Sequence, residues 1–190
     1  MELVFRQQLE KIISLTDSEY EYVRSFFISR KYKKHQFVIQ QGDHVNYEYF
    51  VLSGLIKCYV LDDDSSMHIL QFAMEDWWVS DYMAYQAGMA ATTFADCLED
   101  TELMGITKEN KDKLCGEMHK MEHFFRVKSN LGYIALQRRI LSLLSNNAEE
   151  KYRQLFELYP SLFQRVPKAL LASYIGVSRE TLSRLKLPGR

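Results

Sequence analysis

The sequence predicts an α+β chain: an antiparallel β-sandwich or roll (jelly-roll) with flanking helices, then a long helix, then a helix-turn-helix domain. Three observations predict this. Between residues 30 and 106, short runs of β-branched and aromatic residues alternate with turn signals at close, even spacing. From Lys108 onward the apolar period becomes helical. Residues 166–186 place a proline, a glycine and a serine where two short helices around a tight turn require them.

In chain order, Leu3, Val4, Leu9, Ile12 and Ile13 predict a short helix over residues 3–13. Thr16, Asp17 and Ser18 form a capping cluster before a second helix over 18–29. Strands are predicted at 36–40, 47–52, 55–61, 67–73, 92–97 and 103–106. Gly42 and Gly54 each follow an apolar run where the chain must reverse, positions that favour a positive φ. In the long helix, Phe124, Val127, Leu131, Ile134 and Leu141 fall at heptad-like spacings, with Arg138 interrupting the seam. So narrow a stripe suits a partner helix, most simply its own copy, and these five residues are the expected dimer interface. Residues 148–159 form a further amphipathic helix stopped by Pro160. The expected domains are therefore a sensor roll over 1–115, a dimerisation helix over 116–146 and a helix-turn-helix domain over 147–190, with Asn146-Asn147 at the last boundary.

Within that last domain, Pro167 suits a first helical position, Gly176 stops the first helix, and Ser178 caps the second. Leu171, Ile175, Val177, Leu182 and Leu185 supply apolar contacts between the two helices, and Ala172 is small enough to let them approach. Arg179, Glu180, Ser183, Arg184 and Lys186 remain outward, a polar and net-basic face of the kind that reads a DNA groove.

Charge supports that reading by its distribution. The net charge is −1, which argues against a general nucleic-acid binder. Residues 164–190, however, hold Arg165, Lys168, Arg179, Arg184, Lys186 and Arg190 against Glu180 alone, a balance of +5 that leaves −6 on the rest. No apolar run approaches the ~20 residues of a membrane span, and no signal peptide opens the chain, so a cytoplasmic protein without a membrane partner is expected. Cys58, Cys97 and Cys115 are far apart and lack metal-site spacing, which predicts free thiols. His119 and His123 share a helix face, but no third ligand accompanies them beyond Glu122, so no metal is expected.

The run Val177-Ser178-Arg179-Glu180-Thr181-Leu182-Ser183-Arg184 closely resembles the recognition helix of the CRP/FNR superfamily of bacterial transcription regulators. Gln41-Gly42-Asp43 and Tyr49-Phe50-Val51-Leu52-Ser53-Gly54 extend the resemblance to the opening of a cyclic-nucleotide-binding-like β-roll. The resemblance implies a homodimer on double-stranded DNA, with RNA polymerase a candidate further partner. In family members that bind cyclic AMP, a glycine–glutamate pair meets the ribose and an arginine pairs with the phosphate. Here Ser80-Asp81 stands for the pair, and Gly88-Met89-Ala90-Ala91-Thr92-Thr93-Phe94 holds no arginine. With Glu75, Asp76 and Asp81 nearby and no Lys or Arg from 75 to 104, cyclic AMP should be repelled. An unidentified small effector remains a candidate, with Trp77, Trp78, Ser80, Asp81, Tyr82, Thr92 and Thr93 as its expected pocket; packing of the aromatic rings into cores is the competing expectation. The iron–sulfur centre of oxygen-sensing members lacks its N-terminal cysteine cluster here, so no cofactor is expected. A family-type C-terminal wing is expected to be truncated or absent, since only Leu187-Pro188-Gly189-Arg190 follow Lys186.

The expectation is a sequence-specific DNA-binding regulator and not an enzyme. Arg179, Glu180 and Arg184 are the expected base readers, because arginine pairs bidentately with guanine and glutamate accepts from cytosine. Lys168, Ser178, Thr181, Ser183 and Lys186 are the expected phosphate contacts. A cupin-like metal-dependent enzyme is the first alternative. It needs clustered histidines, and His35, His44 and His68 are isolated. The second is a small-molecule sensor module without DNA binding.

Overall fold

Local capping chemistry sets the first elements of the computed structural model, which describes residues 2–185. Helix α1 (Glu2–Leu9) is followed by α2 (Asp17–Ser25). Thr16 and Glu19 form a capping box at the start of α2: the Thr16 hydroxyl accepts from Glu19 N–H, and the Glu19 carboxylate accepts from Thr16 N–H. The helix ends at Ser25, not at 29 as the sequence suggests, because Ile28–Tyr32 is strand β1. Its ladder to residues 101–105 overrides the local helical pattern.

Seven more strands follow: β2 (Phe37–Ile39), β3 (Glu48–Ser53), β4 (Ile56–Leu61), β5 (Met67–Ala73), β6 (Trp78–Val79), β7 (Phe94–Cys97) and β8 (Thr101–Ile106), with the short helix α3 (Tyr82–Ala87) between β6 and β7. They form two sheets, ordered β1-β8-β3-β6 and β2-β7-β4-β5. Strand β3 is covered on both faces, which is why it reads as a continuous apolar run and not as an alternating one. Tyr49 and Val51 point into the core that also contains Ile39, Ile56, Cys58, Ala95 and Cys97 of the second sheet. Phe50 and Leu52 point the other way, into a core built with Phe5, Leu9, Val23, Leu114, Met121 and Phe124 of the helices. The β3–β4 turn depends on Gly54. Its φ is +101°, and a Cβ there would lie 2.7 Å from the Asp100 carbonyl oxygen.

Six helices complete the described residues: α4 (Lys108–Glu117), α5 (His119–Ser145), α6 (Ala148–Leu158), α7 (Leu162–Arg165), α8 (Lys168–Ile175) and α9 (Arg179–Arg184). Asn147 and Glu150 repeat the capping box at the start of α6. Among the described residues, no helix is long and apolar enough to cross a membrane.

The chain divides into two compact units. One comprises the chain up to Tyr59 with Phe72–Asn130; the other comprises Val60–Gln71 with the chain from Leu131. This partition differs from the expected 1–115, 116–146 and 147–190. The outer part of the β4–β5 hairpin, Val60–Gln71, is grouped with the C-terminal helices, and Arg139 and Ser173 bond its carbonyls at Ile69 and Met67.

Candidate nucleic-acid interface and effector site

Helices α8 and α9 form the helix-turn-helix, and its turn is made by local chemistry. Pro167 sits one residue earlier than expected, at the N-cap of α8 with φ −56° and ψ 141°. Gly176 ends the helix in the left-handed region at φ +77°, and Val177 N–H returns to the Ala172 carbonyl at 3.0 Å. Ser178 then caps α9, its hydroxyl accepting from Thr181 N–H at 3.1 Å. Leu171, Ala172, Ile175 and Leu182 are buried, which fixes the pair of helices as a unit.

That packing leaves Arg179, Glu180, Ser183 and Arg184 exposed, and Lys168 and Thr181 are exposed with them. On a helix, 179 with 183 and 180 with 184 are i,i+4 neighbours, so the two arginines, the glutamate and the serine share one face. The Glu180 carboxyl is held below its ordinary range by its own backbone N–H and by the Ser178 hydroxyl. It is therefore an acceptor at neutral pH, as pairing with a base amino group requires. Lys186 and the wing residues 187–190 lie outside the described residues. Among the described residues no strand lies between α6 and α8, so no upstream hairpin stands there.

Sequence reasoning missed Arg139. Its Nη2 donates to the carbonyls of Ile69 at 2.6 Å and Tyr174 at 3.1 Å, and its guanidinium lies 3.5 Å from the centroid of the Tyr174 ring. The Ser173 hydroxyl donates to the Met67 carbonyl beside it. Together these tie the end of the first helix of the motif to β5. No spacing in the sequence could reveal this tie, because both acceptors of the Arg139 hydrogen bonds are backbone carbonyls.

The expected dimer seam is corrected at one position. Phe124 is fully buried in its own roll, packed 5.4 Å from Phe125 and 6.4 Å from Trp78 between ring centroids. Periodicity finds an apolar face but does not say what covers it, and the first half of α5 is covered by the roll. Val127 is half-buried. Beyond it, Leu131, Ile134 and Leu141 are 55%, 44% and 55% exposed, and Tyr133, Leu136, Ile140 and Leu144 are exposed too.

The expected effector residues do not line one pocket. Trp78 packs among Phe27, Phe50, Phe124 and Phe125, whereas Trp77 packs against the core between the sheets. Tyr82 is exposed, and the Ser80 hydroxyl donates to the Tyr47 carbonyl. Glu75 accepts from Gly54 N–H, and Asp76 sits between Lys11 and Lys128 at 3.1 Å from each. The repulsion expected of three carboxylates therefore reduces to one, Asp81.

Asp81, Thr92 and Thr93 do come together. Asp81 is buried; its Oδ1 accepts from Ala84 N–H at 3.1 Å. Its Oδ2 accepts from Thr92 N–H at 2.7 Å and the Thr92 hydroxyl at 2.9 Å. Thr93 N–H at 3.1 Å and the Thr93 hydroxyl at 3.2 Å complete the set on the same oxygen. Burial pushes the carboxyl upward, but the bonds from Ala84, Thr92 and Thr93 outweigh it and hold it below the ordinary aspartate range.

The remaining candidates carry no chemistry of this kind. His123 Nδ1 meets Arg126 at 2.8 Å, and no group of three His, Cys, Asp or Glu among the described residues could hold a metal. Cys58 and Cys97 are buried free thiols, and burial pushes Cys58 up to about 12, leaving it unreactive at neutral pH.

Residues 29–117 match the family model of the cyclic nucleotide-binding domain. Regulatory protein HlyX of Actinobacillus pleuropneumoniae is 30% identical over 167 residues, which cover 80% of this chain and 68% of that protein. The fumarate and nitrate reduction regulatory protein of Vibrio cholerae is 28% identical over 187 residues, 90% of this chain and 73% of its own length. Among solved structures, FixK2 from Bradyrhizobium japonicum superposes with a TM-score of 0.68 at 17% identity, over 83% of this chain and 81% of that one. The c-di-GMP responsive global regulator CLP of Xanthomonas campestris gives 0.68 at 18% identity, over 86% of each chain. At these identities the two structures speak for the fold.

Proposed function

This chain belongs to the CRP/FNR superfamily of transcription regulators, and from that premise we propose that it binds a palindromic operator as a homodimer, without cyclic AMP. The observation that carries the reading is the exposed α9 face of Arg179, Glu180, Ser183 and Arg184, held by the Gly176–Ser178 turn. Arg179 and Arg184 read guanine edges and Glu180 accepts from a cytosine amino group. Lys168, Ser178, Thr181 and Ser183 bind phosphates and set the register, with Lys186 beyond the described residues adding charge. A helix of six residues is only about 9 Å long and reads within a single half-site, so a second copy supplies the other half about 34 Å away.

The exposed apolar residues of α5 from Leu131 to Leu144 support the dimer, since a helix showing that much apolar surface is stable against a partner and not in water. Asp81 supports independence from cyclic AMP, because its buried carboxylate takes the Thr92 and Thr93 donors and repels a phosphate there. The protein acts in the cytoplasm on the operator duplex, with RNA polymerase as the partner whose access to a promoter it alters. Selection of bound sites from a random duplex pool tests the reading. The expected result is a palindromic consensus with half-sites one helical turn apart, and no enrichment refutes it. Calorimetric titration with cyclic AMP is expected to show no binding; micromolar or tighter binding refutes that part alone.

A further inference from the structure

Four of the five donors around Asp81 converge on one oxygen atom. Two are consecutive backbone N–H groups, of Thr92 and Thr93, which together make a concavity for an anion. Two are the hydroxyls of the same residues. A carboxylate oxygen offers about two lone-pair directions, so four donors exceed what Oδ2 can use well. A tetrahedral oxyanion, with three or four oxygens, would share the same donors without crowding. Among the described residues no Lys or Arg pairs with Asp81, so the charge is held by neutral dipoles, an arrangement proteins use for bound anions. The tie also joins parts of the chain 11 and 12 residues apart, across α3 and the turn at Gly88.

We propose that Asp81 is an internal ligand: its carboxylate fills an oxyanion cradle formed by Thr92 and Thr93, and a chain lacking that carboxylate would accept a free phosphate or carboxylate there. This deepens the reading of the roll as independent of cyclic AMP, and rests on it. The site that would otherwise take an anionic small molecule is closed by a covalent part of the chain. A carboxylate held in place by the fold acts at a high effective concentration, so a free anion competes poorly with it.

The test uses the full chain as wild type, Asp81→Gly and Asp81→Ser. The serine keeps a short acceptor for Ala84 N–H but is too short to fill the cradle, so it guards against a glycine variant that does not fold. Thermal midpoints are measured in inorganic phosphate, acetate and chloride at constant ionic strength. Both variants are expected to melt below wild type. In the variants alone, phosphate or acetate should raise the midpoint saturably over chloride, by about 5–10 °C once the anion is at a hundredfold its dissociation constant. If phosphate and acetate shift the variants no more than wild type, Asp81 is an ordinary helix cap and the proposal fails. Wild-type affinity for its selected operator, measured without any added anion, separates the two readings. Loss of DNA binding there refutes the proposed function and leaves the anion result standing. A cyclic nucleotide that strengthens wild-type DNA binding through this cradle would overturn the internal-ligand proposal.

Discussion

Replacing Arg139 should loosen the helix-turn-helix from the β4–β5 hairpin without touching the DNA-reading face. The guanidinium makes two hydrogen bonds to backbone carbonyls, at 2.6 and 3.1 Å, and stacks on Tyr174 at 3.5 Å. A hydrogen bond to a charged group contributes about 1.5–3 kcal/mol and a partly desolvated cation–π contact about 0.5–2 kcal/mol. Against these stands the cost of holding a half-buried guanidinium out of water, which lowers its pKa and which truncation relieves. The balance for Arg139→Ala is a loss of about 2–4 kcal/mol. Because both bonds lie within one unit, the loss should appear as local opening. Amide hydrogen exchange reads it directly: protection should fall roughly 30- to 1000-fold, together, in residues 60–71 and in α8. Arg139→Lys keeps the charge but not the planar stack and should lose less. A fall confined to one of the two segments, or one under about threefold, would refute the claim that a single side chain couples them.

Three further outcomes are expected. Arg184→Ala should cost about 1–3 kcal/mol at the selected operator and relax preference at one base pair, whereas Lys168→Ala should weaken all sequences alike and reduce the salt slope by about 1, both read by fluorescence anisotropy. Leu131→Glu with Leu141→Glu should give a monomer by sedimentation equilibrium and abolish operator binding, because two exposed apolar positions of α5 become charged. The Asp81 carboxyl titrates lower in the folded chain than unfolded, so its contribution is present above about pH 3.9 and is lost as pH falls through the still lower folded value. The stability gap between wild type and Asp81→Ser, from urea melts, should therefore be constant from pH 6 to 8 and shrink only in acid.

The helix-turn-helix was legible because its determinants are local: Gly176 and Ser178 act on residues within four positions. The strands were legible as punctuated apolar runs, except β1 and β6. β6 has only two residues, and the inner three residues of β1, Ser29, Arg30 and Lys31, are exposed, so neither offers a pattern. Phe124 was placed in the dimer seam because a period of seven describes one face of a helix and not its neighbour. The grouping of Glu75 and Asp76 with Asp81 failed for a related reason. Residues within six positions turn to Gly54, to a pair of lysines and to two threonines respectively. The Asp81–Thr92–Thr93 cluster was found as three candidate residues, but that the carboxylate occupies the cradle is a matter of distances.

The exposed second half of α5 has a consequence for how much of this protein is competent in a cell. In the proposed dimer, a helix bearing Leu131, Ile134, Ile140, Leu141 and Leu144 toward water is incomplete on its own, and mass action completes it. Dilution then does what a repressing ligand does elsewhere: it lowers the share of chains able to span two half-sites. If no small molecule sets the activity of the roll, the number of copies does, and control passes from affinity for a metabolite to the rates of synthesis and degradation of the chain.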